Sequence, residues 1–393
     1  METNISVIQG TASHLEIDDE SVDLIVTSPP YPMVEMWDEI FSKQDDRIFS
    51  CLAEGNGRES FQLMNGILDK AWAESYRVLK LGGIACINIG DATRTLNGDF
   101  QLYSNHSRIL NSCLNLGFAS LPDILWRKPT NAPNKFMGSG MLPVGAYVTY
   151  EHEYILILRK GDRREFKSAQ DKETRRRSAF FWEERNVWFS DVWFDIRGTG
   201  QELGEKATRQ RSAAFPFELA YRLICMFSVN GDVVLDPFVG TGTTLAASLA
   251  SGRNGIGIEI DSSFIPSICS LIESTPSIAN TYNKERLVRH VQFVEKRTEE
   301  KGPLKHSNIH YGFPVMTAQE KELIVPEIES ISSNGESRFT ISYSDKPQSD
   351  FLNIRSDCKN TEIEKKSSSG KVKKKKKSTL EVEVDASQAQ LQL

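Results

Sequence analysis

Residues Val22–Thr27 read Val-Asp-Leu-Ile-Val-Thr, a nearly continuous apolar run, and Ser28-Pro29-Pro30 stops it at once. A run that is apolar on both faces needs cover on both faces, as a parallel strand between helical layers has. Proline fixes its own φ and cannot donate to a sheet ladder, so the strand has a rigid exit.

Similar segments recur. Ser6–Gln9, Ile84–Ile89, Ile124–Trp126, Glu153–Leu158, Asp232–Leu235 and Gly255–Ile260 read as strands. Helical patterning covers Phe61–Leu79, Ser107–Leu116, Ala214–Ser228 and Thr243–Ala250, with Lys80-Leu81-Gly82-Gly83 expected to cap the first. Pro216 suits a first helical turn. Strands alternating with helices predict an α/β fold, doubly wound around a mostly parallel sheet. A charged helix is expected near Asn283–Thr298 and an ordered cap over His306–Pro326. Beyond about Ser330 the chain turns Ser-, Lys- and Glu-rich and includes Lys371 and the run Lys373–Lys377, so disorder is expected there.

The 393 residues suffice for one large α/β domain with additions, or two modest domains, at an ordinary 39% apolar and 25% charged content. No apolar run reaches the roughly 18 residues of a membrane span, and the N-terminus lacks a signal pattern. A cytoplasmic, bacterial setting is expected. The six cysteines form no Cys-x-x-Cys pair, and the six histidines are scattered apart from His306 and His310, so neither a metal nor a disulfide framework is expected. A net charge of −6 argues against a wholly basic nucleic-acid coat but allows a local basic cleft.

Two segments carry chemistry. Asp236-Pro237-Phe238-Val239-Gly240-Thr241-Gly242-Thr243-Thr244 lies between a buried strand and a helix start. Its glycines allow positive φ and close approach of a ligand, and the helix start offers unpaired N–H groups. Glu259 ends the next strand, about 20 residues on, where dinucleotide folds place the acid that holds ribose hydroxyls. An adenosine-containing cofactor is the chemical reading, and a plain tight turn the bland one. No Gly-Lys-Ser/Thr follows, which excludes a P-loop. Thr27-Ser28-Pro29-Pro30-Tyr31 sits at a strand's carboxyl end, where open α/β sheets bind ligands. Fixed carbonyls, a hydroxyl and an aromatic face suit a planar group bearing an amine. A polyproline-type turn is the bland reading.

Together the two segments resemble the DNA amino-methyltransferases, which carry a (Ser/Asn/Asp)-Pro-Pro-(Tyr/Phe) catalytic motif and a Phe-x-Gly-x-Gly cofactor motif. Here these are Ser28–Tyr31 and Phe238–Gly242. The catalytic motif comes first, the order of the beta class. Ser21–Val26, Arg77–Gly83, Trp126-Arg127-Lys128-Pro129, His152-Glu153 and Ala214-Phe215-Pro216 with Leu219 resemble further family segments over about residues 5–270. Gly10-Thr11 departs from the Gly-Asp of many relatives.

The resemblance implies a Rossmann-like methyltransferase sheet with an inserted target-recognition region, and S-adenosylmethionine as methyl donor. Its implied cofactor residues are Asp236, Phe238, Gly240, Thr241, Gly242, Thr243 and Glu259, with Phe215 and Pro216 packing on the methionine part. With the composition of the C-terminal part, the expected domains are 1–160 (catalytic half), 161–200 (recognition), 201–275 (cofactor half), 276–330 (accessory) and 331–393 (tail). Ser28 and the Pro29 carbonyl would accept hydrogen bonds from a base amine, with Pro30 fixing the turn and Tyr31 stacking on the base. The base would be flipped from double-stranded DNA, and Met33 and Trp37 are candidates to receive it or to pack in the core. Serine in the first motif position favours N4 of cytosine, because aspartate there is the commoner mark of adenine enzymes. No Pro-Cys dipeptide is present for attack on a ring carbon.

For DNA contact the basic stretch Arg163, Arg164, Lys167, Lys172, Arg175, Arg176 and Arg177 is the leading candidate and Lys128 a weaker one. A solvated charged loop is the bland alternative. A paired restriction endonuclease, and a monomer or homodimer, complete the expectation. Adenine N6 methylation, an RNA amino-methyltransferase, a nicotinamide dehydrogenase and a cofactor-sensing module are the rivals.

Overall fold

The computed structural model describes residues 1–128, 137–196, 215–335 and 337–349. Apart from three short two-stranded ribbons, the strands are β1 (Glu2–Gln9), β2 (Val22–Thr27), β3 (Leu79–Ile89), β4 (Phe118–Ser120), β5 (Ile124–Arg127), β6 (His152–Lys160), β7 (Val192–Trp193), β8 (Val233–Asp236), β9 (Asn254–Glu259), β10 (Ile328–Ser333) and β11 (Arg338–Tyr343). They form one eleven-stranded sheet in the order β7-β5-β6-β3-β2-β8-β9-β1-β11-β10, with β4 beside β6. From β3 through β2, β8 and β9 to β1 every pairing is parallel. β6 runs antiparallel to β3 and β5, so β5 points the same way as the parallel block.

Helices α1 (Asp38–Ser42), α2 (Asp46–Ala53), α3 (Gly57–Val78) and α4 (Asn105–Leu116) precede α5 (Ala169–Arg177) and α6 (Trp182–Trp188). Then come α7 (Phe217–Phe227), α8 (Thr243–Ala250) and α9 (Ile265–Lys301). Successive strand residues alternate between two cores. Leu24, Val26, Ile84, Cys86, Ile155, Ile157 and Val234 pack with Leu219 and Leu223 of α7 and Leu245 of α8. Ile25, Ala85, Ile87, Leu156, Leu158 and Leu235 pack with Met64, Leu68 and Trp72 of α3 and Ile109 of α4. The doubly apolar strands are thus covered on both faces, as the sequence requires.

Three expectations change. Gly82-Gly83 does not cap a helix, because α3 ends at Val78 and β3 begins at Leu79. Gly82 has φ +81°, and a Cβ there would lie 2.6 Å from the Arg164 backbone nitrogen, so glycine serves a close approach. The charged helix is the far half of α9. The polar tail does not begin at residue 331, since β11 pairs with β1 and β10 with β11. Phe339, Ile341 and Tyr343 point inward at period two, and the Tyr343 hydroxyl donates to the Leu249 carbonyl at 2.7 Å. Residues 1–349 form one compact unit. Ala214, Pro129 and the lysine-rich run 371–377 lie outside the described residues. No described helix is long and apolar enough to cross a membrane.

Candidate active site

After β2 the chain proceeds to β3, and after β8 it proceeds to β9 on the other side. The β2–β8 border is therefore the switch point of the sheet, where the crevice at the carboxyl ends opens. Ser28 leaves β2 there and Pro237 leaves β8. Asp236 joins the two exits. One carboxylate oxygen accepts from the Thr27 hydroxyl at 2.6 Å and the Phe238 N–H at 3.0 Å, and the other from the Thr244 hydroxyl at 2.6 Å. Burial pushes its pKa up to about 6. With both oxygens bonded to the protein, Asp236 is a staple between strands and is not among the residues that line the adjacent cavity.

A cavity of about 560 Å³ opens beside this staple, within the usual size of small-molecule sites. Its walls include Thr11, Ser28, Trp37, Phe238, Gly240 and Glu259. Glu259 accepts from the Gly240 N–H at 3.0 Å and the Asp261 N–H at 2.9 Å, and burial raises its pKa above the ordinary carboxylate value. Gly240 has φ +52° and Gly242, the N-cap of α8, has φ +90°, so both positions favour glycine. The Trp37 Nε1, in the cavity wall, and the Thr241 Oγ1, outside it, are buried with no hydrogen-bond partner among the described residues. A cavity with an orphaned indole donor, Gly240 and a carboxylate at a strand end fits an adenosine cofactor carrying an amino acid.

Other expected cofactor residues, Thr241 and Gly242 among them, are not in the cavity wall. Thr243 opens α8, Pro216 is the N-cap of α7, and Phe215 is buried in the core above that helix. Met33 is core, 1% exposed, with φ +68° and its N–H on the Met64 sulfur. Trp37 lines the cavity.

Ser28 belongs to a second cluster. Its Oγ donates to the Tyr31 hydroxyl at 3.1 Å, which donates to Glu153 Oε2 at 3.0 Å. Asn88 Nδ2 donates to the Tyr31 oxygen at 2.9 Å and to Glu153 Oε2 at 2.7 Å, while Lys128 Nζ donates to Glu153 Oε1 at 2.6 Å. Burial, then the Glu153 charge, raises the Tyr31 pKa well above its usual value. Asn88 and the role of Glu153 escape sequence reasoning. A lone asparagine in Ile-Ala-Cys-Ile-Asn-Ile, near the end of an apolar strand, is the signal that was there to be found.

The basic stretch falls elsewhere. β6 carries the chain from the catalytic edge down to the opposite one, where Arg164 pairs with Asp232 at 2.6 Å and Asp23 at 3.6 Å. Asp23 and Ser28 are separated by most of β2, roughly 17 Å of strand. Arg175 stacks with Arg164 on Phe166, Arg176 pairs with Glu322, Arg177 lies 3.9 Å from Glu173, and Lys167 pairs with Glu165. Arg163 is exposed beside them. Strand direction thus sets this basic stretch at the edge of the sheet opposite Ser28. Lys128, ranked lower, is the one basic candidate of that set at the catalytic edge.

Glu183, His290 and Glu320 also come together. The His290 ring nitrogens face Glu183 at 2.8 Å and the Pro314 carbonyl at 3.1 Å, and Glu320 accepts from Trp182 N–H and from Thr317. These bonds tie α6 and α9 to the 305–326 segment.

The N6/N4 DNA methylase family model matches residues 22–270, which spans both motifs and the strands that carry them. The chain belongs to the N6/N4 DNA methylase family. A Type II methyltransferase of Methanothermobacter thermautotrophicus, M.MthZI, is 49% identical over 316 residues, 80% of this chain and 88% of that protein. M.MjaI of Methanocaldococcus jannaschii, also a Type II methyltransferase, is 49% identical over 68% of this chain and 90% of its own length. A solved structure of a putative DNA modification methylase from Thermus thermophilus, complexed with S-adenosyl-L-methionine, superposes with a TM-score of 0.53 at 30% identity. It covers 68% of this chain and 95% of that one. The family match encloses Ser28–Tyr31, Glu153 and Phe238–Gly242, so both clusters of this DNA methylase fall inside the segment that defines the family.

Proposed function

We propose that this DNA methylase transfers a methyl group from S-adenosylmethionine to N4 of cytosine in duplex DNA. The observation that carries the reading is Ser28. Its proton is directed to Tyr31, so its free lone pairs are what it offers at the cavity that holds Gly240 and Glu259. The bound cofactor supplies an electrophilic methyl. Glu259 would hold its ribose hydroxyls, and the N–H groups at the start of α8 would favour its carboxylate end.

An exocyclic amine is a weak nucleophile because its lone pair is delocalised into the ring. Ser28 Oγ and the Pro29 carbonyl accept hydrogen bonds from that amine, and these bonds strengthen as positive charge develops. The amine forms a C–N bond as the cofactor's C–S bond breaks, leaving a thioether. The methylated cation then sheds one N–H proton to solvent. Pro30 holds the turn rigid, and the Tyr31 ring is the surface for the extruded base, since its hydroxyl is anchored. Much of the rate gain comes from positioning.

Serine at position 28 favours cytosine. The 49% identity to proteins named Type II methyltransferases supports a role as the modification partner of a restriction endonuclease. The test is transfer of label from S-adenosylmethionine to unmethylated duplex DNA and, in parallel, to RNA. Label in DNA alone is expected, and label in RNA alone overturns the substrate.

A further inference from the structure

We infer that Glu153, with Asn88 and Lys128, is a positioning residue that locks Ser28 as a hydrogen-bond acceptor by way of the Tyr31 hydroxyl. The inference rests on the reading that Ser28 receives the substrate amine.

Burial makes the cluster conspicuous. Glu153 is 9% exposed and Asn88 2%, both at the catalytic ends of central strands whose neighbours are apolar. Polar groups so placed cost stability unless each finds a partner, and an apolar pair would serve the sheet as well. Here the order of donors is defined. Lys128 and Asn88 both donate to Glu153, which as a carboxylate accepts only. Tyr31 has a single proton, and it donates it in a hydrogen bond to Glu153. The Tyr31 oxygen is then an acceptor, and it accepts one hydrogen bond each from Asn88 and Ser28. Ser28 likewise has one proton, so what it turns toward a substrate is lone pairs.

A free serine hydroxyl rotates and can donate or accept. Anchored this way it accepts, which selects a base edge that donates, an amine, over one that presents a carbonyl oxygen. The order of donors cannot easily reverse, because burial and the Glu153 charge keep the Tyr31 proton on its oxygen. A chain of hydrogen bonds ending on a carboxylate also polarises its far member. As methyl transfer moves positive charge onto the amine, Ser28 answers with the negative charge of Glu153 behind it. The serine thus borrows the carboxylate character that an aspartate in its place would supply directly.

The test compares Glu153→Gln, Tyr31→Phe and Ser28→Ala, singly and combined, in the full chain with duplex DNA and labelled S-adenosylmethionine. Glu153→Gln is expected to lower kcat by about tenfold to a hundredfold, with KM for DNA and Kd for the cofactor within about threefold. Tyr31→Phe keeps the ring and removes the hydroxyl, so it should cost a similar factor. In a Ser28→Ala background, Glu153→Gln should cost less than about twofold more, because its effect travels through Ser28. An unchanged kcat in Tyr31→Phe, or the full Glu153→Gln penalty persisting without Ser28, overturns the relay. Tyr31→Phe decides the matter even if Glu153→Gln does not fold. If Ser28→Ala itself keeps full activity, the reading of Ser28 fails, whereas an impaired Ser28→Ala beside a normal Glu153→Gln sinks the relay alone.

Discussion

The two edges of the one sheet hold charge in opposite ways. At the amino-terminal edge, charges neutralise one another: Arg164 with Asp232 and Asp23, Lys80 with Asp23, Lys160 with Glu20, and Arg77 with Glu74 and Asp19. At the carboxyl-terminal edge Lys128 pairs with Glu153, but the groups beside the cavity are held without being used up. Glu259 is fixed by backbone N–H groups beside a cavity, Thr241 and Trp37 have buried polar atoms without partners, and Ser28 keeps free lone pairs. Mutual pairing makes scaffold, and oriented groups with remaining capacity make a site. Sequence charge density alone does not tell the two apart.

Perturbing each edge separates these roles. The largest effect belongs to Ser28→Ala, which should lower turnover by about 10²–10³-fold with cofactor Kd within about threefold, read by single-turnover methyl transfer. Full activity in that variant would erase the distinction between the edges. Next, Glu259→Ala should weaken S-adenosylmethionine binding by roughly tenfold to a hundredfold, measured by equilibrium dialysis, because charge-assisted hydrogen bonds to the ribose are lost. Unchanged affinity would remove Glu259 from the cofactor site.

At the opposite edge, Arg164→Ala should cost about 1–2 kcal/mol in urea unfolding, the half-exposed side chain keeping the loss below that of a fully buried pair. Its kcat should stay near that of the native chain. The smallest effect is expected for Lys167→Gln combined with Arg175→Gln. DNA affinity should change less than about twofold, with the salt dependence of binding intact. A slope smaller by about one per residue would place DNA on that edge and break the comparison.

Much of this was legible in the sequence. The Val22–Thr27 run and its two prolines required a buried parallel strand with a rigid exit, and the Asp236–Thr244 segment a strand-turn-helix with a glycine cradle. Both are local: a few consecutive residues encode backbone geometry. What was missed is non-local. Glu153 lies 122 residues from Tyr31, and the Asp236 carboxylate meets Thr27 209 residues away, so neither link leaves a spacing to read. The position of the basic stretch was illegible for the same reason, since β6 reverses direction and carries it to the far edge. The β10–β11 hairpin was hidden by composition. Its alternating Phe339, Ile341 and Tyr343 are a strand signal, set among polar residues that suggested disorder.

The central claim is that Ser28 presents lone pairs to an exocyclic amine of a DNA base. Its most direct test is digestion of enzyme-treated duplex DNA to nucleosides, followed by mass spectrometry, for the native chain and Ser28→Ala side by side. The expected result is N4-methylcytosine, at a rate that falls sharply in the variant. N6-methyladenine would contradict the choice of base, and a methylated ring carbon or an unmodified digest would contradict the role given to Ser28.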